Sequence, residues 1–318
     1  MCRMKFLVLG ATFLVSSVFM FWNLENCFDP YDDPQTRDEE FTPGGARHWT
    51  WKRLDRKLTG VAKVIFAAAD AYGDYPALVG FCEVENATVL RRLVSNRLMA
   101  QLGYDWIHRD SPDGRGIDVA LLFRRELFRP LAVRAVPVPT DPPARDILYV
   151  KGVLQGDTVH VLVNHWPSKL GGRAGDVRRE VAAAALRACV DSIDAPAPAG
   201  HKSGAFCPQT IIVMGDFNAT PREIDLSLPG FENLAAPLAA AGEGSLKYRG
   251  TWELIDQFWI RPCPVSSQET SSRMSVFRAP FLLEPDTGYT GDKPRRTFSG
   301  PRYKGGLSDH LPVVLVME

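Results

Sequence analysis

The sequence lacks an excess of either charge, because 37 Lys and Arg residues balance 37 Asp and Glu residues over 318 positions. Domains that bind nucleic acid mainly by releasing counterions usually carry a basic surplus, so the overall charge does not indicate that mode of binding. Internal repeats, blocks of like charge and heptad runs are also absent from the sequence. Their absence argues against repeat arrays, charged tails and coiled coils.

Cysteine is scarce, and no pair of cysteines has the spacing of zinc ligands. Besides Cys2, the chain contains Cys27, Cys82, Cys189, Cys207 and Cys263. Five is an odd number, so at least one of these thiols stays unpaired in a monomer. A bridge between Cys27 and Cys82 is one possibility, but the sequence favours buried free thiols.

The most informative segment is an apolar run at 211–214 that stops at Gly215 and is followed by Asp216 and Asn218. Side chains alternate faces in an extended strand, so Asp216 and Asn218 are predicted to point the same way at the strand's end. Buried carboxylates and amides need partners, which a metal or phosphate would supply. The alternative is a simple Asp/Asn turn that caps a strand.

Three further apolar runs end or begin with polar groups in a similar way. The apolar pattern that starts at residue 20 ends in Asn23 and Glu25, and the apolar run at 77–82 ends in Glu83. Asp309 and His310 come immediately before the strand pattern at 313–316. Four strands that deliver polar groups at their ends indicate a shared site rather than separate caps.

These segments resemble the endonuclease/exonuclease/phosphatase family, also called the DNase I-like superfamily. The resemblance runs from about Phe19 to the C-terminus, with WNLEN, FCEVEN, RGIDVALLF, VNHWPSK, MGDFNAT, ELIDQFWI and GLSDHLPV in family order. MGDFN and SDHLP are specific, whereas FCEVEN would be weak alone. The resemblance implies a four-layered α/β sandwich, in which two mostly antiparallel sheets pack face to face and helices cover the outside. It also implies phosphoester hydrolysis with a divalent metal, on substrates that range over DNA, RNA, inositol phosphates and sphingomyelin.

The resemblance also implies a set of metal-binding residues. Glu83 matches the principal ligand of the family, and Asn23, Glu25 and Asp309 match positions that complete or orient the metal shell. Carboxylate and amide oxygens suit Mg²⁺, which keeps several of its waters. The expected cofactor is therefore Mg²⁺ or Mn²⁺.

The catalytic residues follow from the same resemblance. His310 matches the residue that activates water or contacts the phosphate, and Asp256 matches the acid that fixes its tautomer and raises its basicity. His165 matches a second histidine beside the phosphate, where it can act as an acid or bind an oxygen. Asp216 and Asn218 are expected to orient the nucleophile and bond the phosphate. The alternatives are a core histidine at 165 and a merely buried acid at 256.

Cationic residues could hold the substrate phosphate, and the candidates are Arg115, Lys169 and Arg296. Lys293, Arg295, Arg296, Arg302 and Lys304 crowd the approach to the SDH motif and could steer an anion. Possible rim aromatics are Trp166, Tyr289, Phe298 and Tyr303. Exposed turn or loop residues and ordinary packing are the competing interpretations.

The pattern of strands mixed with helices indicates an α/β class. Helical stretches are predicted at 54–71, 87–102 and 177–193, and surface loops at 194–208 and 236–250. Because the motifs extend from the first strand to the last, residues 18–318 are interpreted as one catalytic domain.

The N-terminus combines Arg3 and Lys5 with an apolar segment at 6–13 and small residues at 16 and 17. This pattern is typical of a secretory signal, here residues 1–17, and predicts a secreted or periplasmic protein. A cytoplasmic protein with an N-terminal extension is the alternative. A stable membrane span is not expected, since about 20 apolar residues are needed and the site strand would be lost in the bilayer.

The sequence therefore predicts a Mg²⁺- or Mn²⁺-dependent phosphoesterase, most simply a nuclease-type phosphodiesterase that acts on nucleic acid. A phosphomonoesterase or phospholipase on the same fold is the first alternative, and a non-catalytic binding module is the second. The sequence indicates no protein partner.

Overall fold

The computed structural model describes residues 17–169, 172–195, 209–224, 226–263 and 271–318. The predicted signal segment, apart from Ser17, and most of the loop predicted at 194–208 lie outside the described residues. No helix in the described ranges is long and apolar enough to cross a lipid bilayer.

Eighteen strands and four α-helices make up the described regular structure, together with 3₁₀ turns at Glu39–Phe41 and Pro280–Leu282. The first nine strands are β1 (Ser17–Cys27), β2 (Leu78–Val84), β3 (Tyr104–His108), β4 (Asp118–Arg124), β5 (Phe128–Val136), β6 (Ile147–Leu154), β7 (Asp157–His165), β8 (Thr210–Asp216) and β9 (Glu232–Asn233). The others are β10 (Leu246–Tyr248), β11 (Thr251–Glu253), β12 (Asp256–Arg261), β13 (Ser272–Val276), β14 (Leu283–Pro285), β15 (Asp292–Pro294), β16 (Phe298–Ser299), β17 (Arg302–Tyr303) and β18 (Val313–Met317). The helices are α1 (Trp51–Tyr72), α2 (Ala87–Val94), α3 (Arg173–Asp194) and α4 (Ala236–Ala240).

Twelve of the strands form two six-stranded sheets. The first has the order β13-β18-β1-β2-β4-β3, and the second has the order β5-β6-β7-β8-β12-β9. Each sheet contains one parallel pair, β1 with β2 and β7 with β8, and the remaining neighbours are antiparallel. The predicted fold of two mostly antiparallel sheets is confirmed.

Strand alternation assigns the two faces of each sheet. On β1, Phe19 and Phe21 belong to the core between the sheets, whereas Val18 and Met20 belong to the core beneath the helices α1 and α2. On β8, residues 212 and 214 face the other sheet, and residues 211 and 213 pack with α3. Three apolar cores therefore separate four layers in the order helix, sheet, sheet, helix.

The helices depart from the predictions mainly in length. The side chain of Thr50 caps α1 by accepting from the Arg53 N–H, and Gly73 ends that helix in the left-handed conformation. α2 stops at Val94, although the prediction extended to 102. Asn96 lies just beyond, and its carboxamide accepts from the Leu98 N–H, which competes with the helical hydrogen bonds.

The segment 236–250, predicted to be a loop, contains regular structure, and that prediction was wrong. Pro237 lies in the first turn of α4, where its fixed φ favours a helix. Residues 246–248 then form β10, which pairs with β11 in a short hairpin. Because the segment is rich in small residues, its composition resembled that of a loop although it contains α4 and β10.

The described cysteines agree with the favoured interpretation of the sequence. Cys27, Cys82 and Cys189 are buried free thiols. Cys27 and Cys82 are therefore not bridged to each other.

Candidate active site

Three strands of the second sheet deliver polar side chains to one end of the space between the sheets, which we call the mouth. His165, Asp216 and Asp256 each continue the alternation that places the apolar residues of their strands in the inter-sheet core. In the strand register, His165 pairs with Asp216 across β7 and β8, and Asp256 pairs with Asp216 across β8 and β12. Asp216 thus lies between the other two residues.

The first sheet delivers Asn23 by the same alternation, after Phe19 and Phe21, but it delivers Glu83 by a different route, because β1 and β2 are irregular beyond this point. The pairing of β2 shifts register between Cys82 and Val84, and Glu83 there has φ +58°. Glu25 and Asn26 have φ +46° and +56° in the corresponding irregular part of β1. Left-handed φ values in non-glycine residues cost about 1–3 kcal/mol each and are common at functional sites.

Hydrogen bonds within the site hold this unusual backbone. The Asn26 N–H donates to Glu83 Oε2 at 2.7 Å, and the Glu25 N–H donates to Asn23 Oδ1 at 2.8 Å. The Asn23 amide Nδ2 donates to Asp216 Oδ2 at 3.0 Å and to Glu83 Oε1 at 3.4 Å. Asn23 therefore links the two sheets at the mouth.

Asn218 reaches the mouth through a turn rather than through strand alternation. β8 ends at Asp216, and Asn218 has φ +48°. Its backbone N–H donates to Asp216 Oδ1 at 2.9 Å, and its side-chain amide donates to the Trp166 carbonyl at 2.9 Å. The prediction that two residues of one extended strand point the same way does not describe this geometry, because an Asx turn replaces the strand after Asp216.

His310 is held by an acid, as the resemblance implied. Its Nδ1 lies 2.7 Å from Asp256 Oδ2, which also accepts a hydrogen bond from the Ser245 hydroxyl. The Trp22 indole donates to the His310 carbonyl at 2.9 Å. Burial by itself would lower the pKa of His310, but the charge and hydrogen bond of Asp256, together with the charges of Asp216 and Asp309, hold that pKa well above its ordinary value.

His165 has the opposite electrostatic environment. Its Nε2 lies 3.9 Å from both Glu83 Oε1 and Asp216 Oδ2, and its buried Nδ1 has no hydrogen-bond partner in the described residues. Burial, reinforced by the nearby charges of Arg145 and Arg115, lowers the pKa of His165 well below its ordinary value. His165 is thus a neutral imidazole at neutral pH, and no backbone carbonyl in the described structure holds it as a core histidine.

Asp216 is fully buried at the centre of the mouth, with His310 Nε2 also 3.9 Å from its Oδ2 atom. Burial and the neighbouring Asp256 charge raise the pKa of Asp216 to about 7. A carboxyl group with a pKa in this range can exchange a proton near neutral pH.

Glu25 is fixed by three groups that surround it. The Thr297 N–H donates to its Oε2 at 2.6 Å, and the Arg296 guanidinium donates to its Oε1 at 3.1 Å. The buried Lys57 ammonium donates to its backbone carbonyl at 2.8 Å and to the Thr297 hydroxyl at 2.6 Å. Burial and the charge of Asp309 raise the pKa of Glu25 to about 7.

Arg296 also donates to Asp309 Oδ2 at 2.8 Å, so one guanidinium bridges two of the predicted metal ligands. The acidic groups around the mouth are Glu25, Glu83, Asp216, Asp256 and Asp309. The cations in contact with these carboxylates are Arg296 and His310, while Lys57 binds the backbone carbonyl of Glu25. This surplus of oxygen donors fits a hard divalent cation such as Mg²⁺ or Mn²⁺.

The predicted phosphate-binding residues are placed differently from one another. The Arg115 guanidinium donates to the side chain of Asn26, and the backbone N–H of Asn26 donates to Glu83. Arg115 therefore lies at the mouth. Lys169 instead forms ion pairs of 2.8 Å with Glu223 and 2.9 Å with Glu253. Its charge is therefore already matched by two carboxylates.

Of the four possible rim aromatics, only Tyr289 is exposed, at 52 % of its surface. Trp166 and Phe298 are buried, and Tyr303 packs against the ring of Phe298. Trp166 itself packs edge-on against Phe217. For these three residues the packing interpretation is correct.

Several residues of the site escaped the sequence analysis because their segments carry no motif. Lys57 lies in the middle of an amphipathic helix, and Arg145 follows an irregular loop, where it pairs with Asp113 at 3.1 Å. Ser245 and Thr297 lie in turns of ordinary composition. From the sequence, Cys82 is only a possible disulfide partner of Cys27 or a buried thiol.

The comparison with known families agrees with this geometry. Residues 18–318 match the model of the Endonuclease/Exonuclease/phosphatase family, so the chain belongs to that family. The family includes endonucleases, exonucleases and phosphatases, which generally use divalent metals. No curated protein sequence matches the chain significantly.

Solved structures with the same fold include truncated TDP2 from Caenorhabditis elegans, with 14 % identity, a TM-score of 0.61, and coverage of 95 % of this chain and 98 % of the other. D. rerio TDP2 complexed with a single-strand DNA product has 13 % identity, a TM-score of 0.56, and coverage of 96 % and 99 %. The human Nocturnin catalytic domain with a bound sulfate anion has 17 % identity, a TM-score of 0.53, and coverage of 95 % and 93 %. At these identities the likeness establishes the DNase I-like fold.

Proposed function

We propose that the protein is a Mg²⁺- or Mn²⁺-dependent phosphodiesterase of nuclease type. The observation that carries the proposal is the continuous set of contacts from Asp256 through His310 and Asp216 to Asn23 and Glu83. This set combines an acid-held imidazole, a proton-exchanging carboxyl and a metal-binding carboxylate at one mouth.

Glu83, Asn23 and Asp309 would hold the cation. When bound, a divalent cation supplies positive charge to the phosphoryl oxygens on which negative charge develops. Both carboxylate oxygens of Glu25 already accept hydrogen bonds from Arg296 and Thr297. A carboxylate oxygen that accepts one hydrogen bond keeps a second lone pair, so Glu25 would complete or orient the metal shell.

The protein's own residues would handle the protons. His310, kept charged by Asp256, donates a hydrogen bond to a non-bridging phosphate oxygen. Asp216 is held at both oxygens by Asn23 and the Asn218 backbone, so it can orient the attacking water and accept its proton. His165 is neutral and supplies a hydrogen bond to the phosphate rather than a positive charge.

Nucleic acid is the proposed substrate. The relative from D. rerio was crystallised with single-strand DNA, which supports this class of substrate. Arg115 and Arg296 add positive charge beside the acidic mouth, where the phosphodiester backbone would approach. The net charge of zero means that this attraction is local to the mouth.

We further propose that residues 18–318 are the catalytic domain and that the chain is exported, as the N-terminal pattern predicts. The family match begins at residue 18, just after the predicted signal, which supports the division. Detection of the enzyme in culture medium or periplasmic extract, with an N-terminus near residue 18, would test it.

The experiment that tests the proposed function is a hydrolysis assay with single-stranded DNA, single-stranded RNA and plasmid DNA. Bis-p-nitrophenyl phosphate, p-nitrophenyl phosphate, inositol phosphates and sphingomyelin are assayed alongside, each with Mg²⁺, Mn²⁺ or EDTA. We expect metal-dependent cleavage of nucleic acid that is lost in Glu83→Ala while the circular-dichroism spectrum stays unchanged. Turnover restricted to monoesters or lipid would refute nucleic acid as the substrate. Cleavage in EDTA would refute the metal requirement.

A further inference from the structure

A second group of possible metal ligands shares the mouth, and it differs chemically from the oxygen-rich group headed by Glu83. The Cys82 thiol, the His165 imidazole and the Asp216 carboxylate each offer one ligand atom, and these atoms all lie within 4.8 Å of one another. The three residues are buried and come from β2, β7 and β8. No sequence motif could reveal this group, since its members are 83 and 51 residues apart.

The imidazole of His165 offers a ring nitrogen to this group. The side chain is 5 % exposed, and its Nε2 lies 3.9 Å from both Asp216 Oδ2 and Glu83 Oε1. That distance is too long for a hydrogen bond, so neither carboxylate occupies Nε2. A nitrogen held this way beside a buried thiol and a buried carboxylate has the donor chemistry of a metal ligand.

The thiol of Cys82 is oriented by the strand that carries it. Cys82 is the last residue of β2 before the register shift, and it belongs to the inter-sheet core together with Leu78. Burial, followed by the charges of Asp216 and Glu83, raises its pKa well above the ordinary value, so the free protein keeps it as a thiol. Binding of a divalent cation there would form a metal–thiolate bond and release the thiol proton to solvent.

We propose that Cys82, His165 and Asp216 form a site for a soft divalent cation, of which Zn²⁺ is the biological example. A thiolate and an imidazole favour Zn²⁺ over Mg²⁺, whereas the neighbouring carboxylates and amide favour Mg²⁺. Because such a cation would occupy His165 and Asp216, its binding inhibits hydrolysis. The inhibition rests on the proposed function, but the binding does not.

Co²⁺ is the probe for binding, because it adopts the geometry of Zn²⁺ sites and absorbs light. The full chain is titrated with Co²⁺ in the absence of Mg²⁺, and the near-ultraviolet band from thiolate-to-cobalt charge transfer is recorded. We expect this band in the wild type and in Cys189→Ala, which removes a buried free thiol on α3, but not in Cys82→Ala. Cys82→Ser, which is nearly isosteric, replaces the alanine variant if that variant does not fold.

A band that persists in the Cys82 variant, or the absence of any band in the wild type, would overturn the proposed site. The second arm measures inhibition of the Mg²⁺-dependent reaction by added Zn²⁺. We expect Cys82→Ala to require on the order of tenfold more Zn²⁺ for half inhibition than the wild type or Cys189→Ala. Equal inhibition in all three proteins would overturn the inhibitory role.

The two proposals can fail separately in these experiments. A cobalt band that depends on Cys82, in a protein without hydrolytic activity toward any substrate, would support the site and refute the proposed function. Hydrolysis in Mg²⁺ without a cobalt band would support the function and refute the site.

Discussion

His310 and His165 each place Nε2 3.9 Å from the same carboxylate oxygen, Asp216 Oδ2. They are also similarly buried, at 6 % and 5 % exposure. Their pKa values nevertheless shift in opposite directions, upward for His310 and downward for His165. Nδ1 of His310 binds Asp256, whereas Nδ1 of His165 has no partner in the described structure and the charges of Arg145 and Arg115 lower its pKa further.

The comparison shows that two similarly buried histidines at this mouth differ because carboxylates surround one and cations lie near the other. Burial lowers the pKa of both residues, and the Asp256 carboxylate reverses the effect for one of them. Asp256, Asp309 and Arg296 lie near the charged imidazole and form, with it, what we call the His310 side of the mouth. A pair of imidazoles in different charge states can give a phosphate both charge neutralisation and a neutral hydrogen bond.

The largest expected effect separates the two histidines directly. His310→Ala should lower kcat/KM by about 10³-fold or more, because it removes a charged donor from the developing phosphate charge. His165→Ala should lower it by about 10- to 100-fold, the range for one neutral hydrogen bond made in a buried site. Steady-state kinetics on single-stranded DNA measures both variants. Equal losses would contradict the assigned difference in charge.

A subtler variant tests the cause of that difference. Asp256→Asn removes the charge that raises the pKa of His310, so this pKa should fall. If charged His310 is the active form, activity is lost as the pH rises through its pKa. The alkaline limb of the kcat/KM profile should therefore move to lower pH by about one unit or more. An unchanged alkaline limb in the variant would show that Asp256 does not control His310.

The next effect concerns the cation on the His310 side. Arg296→Met should raise KM for DNA by about tenfold, because its guanidinium holds Glu25 and Asp309 at the mouth and its loss leaves both carboxylates without that charge-assisted partner. The matched control is Arg295→Met, because Arg295 is adjacent and exposed and has no side-chain hydrogen bond or ion pair within the described ranges. We expect KM of the control to stay within about twofold of the wild type. Similar increases in both variants would indicate general charge rather than a specific role for Arg296.

The smallest effect is expected at Lys169. Lys169 is paired with Glu223 and Glu253, so its charge is already matched by two carboxylates that are not among the acidic groups of the mouth. Lys169→Met should change KM for DNA by less than about twofold, as is usual for exposed ion pairs. An increase comparable to that of Arg296→Met would restore Lys169 as a phosphate-binding residue.

The resemblance to family motifs singled out Asp216, Asp256 and His165, and simple strand alternation brings these residues together. The expectation drawn from alternation itself, that Asp216 and Asn218 point the same way, was wrong, because an Asx turn follows Asp216. The fold class followed from the order of motifs, and both sheets are present. The difference between the two histidines could not be predicted, because it depends on what lies beside each Nδ1 atom in space.

Other features depended on local backbone irregularity. Glu83 reaches the mouth through a register shift in β2 and a positive φ angle, and the local sequence predicts neither feature. Lys57 lies on a helical face whose pattern reads as ordinary amphipathic structure, yet its ammonium supports Glu25 from behind. Contacts between residues more than 30 positions apart in sequence require the tertiary structure.

The central claim is that the mouth presents one charged and one neutral imidazole to the substrate. NMR titration of the histidine ring signals in the metal-free protein tests it, with His310→Gln and His165→Gln used to assign the two residues. We predict that at pH 7 the His310 ring is protonated and the His165 ring is neutral, and that Asp256→Asn makes the His310 ring titrate at lower pH. A neutral His310 or a charged His165 at that pH would contradict the account.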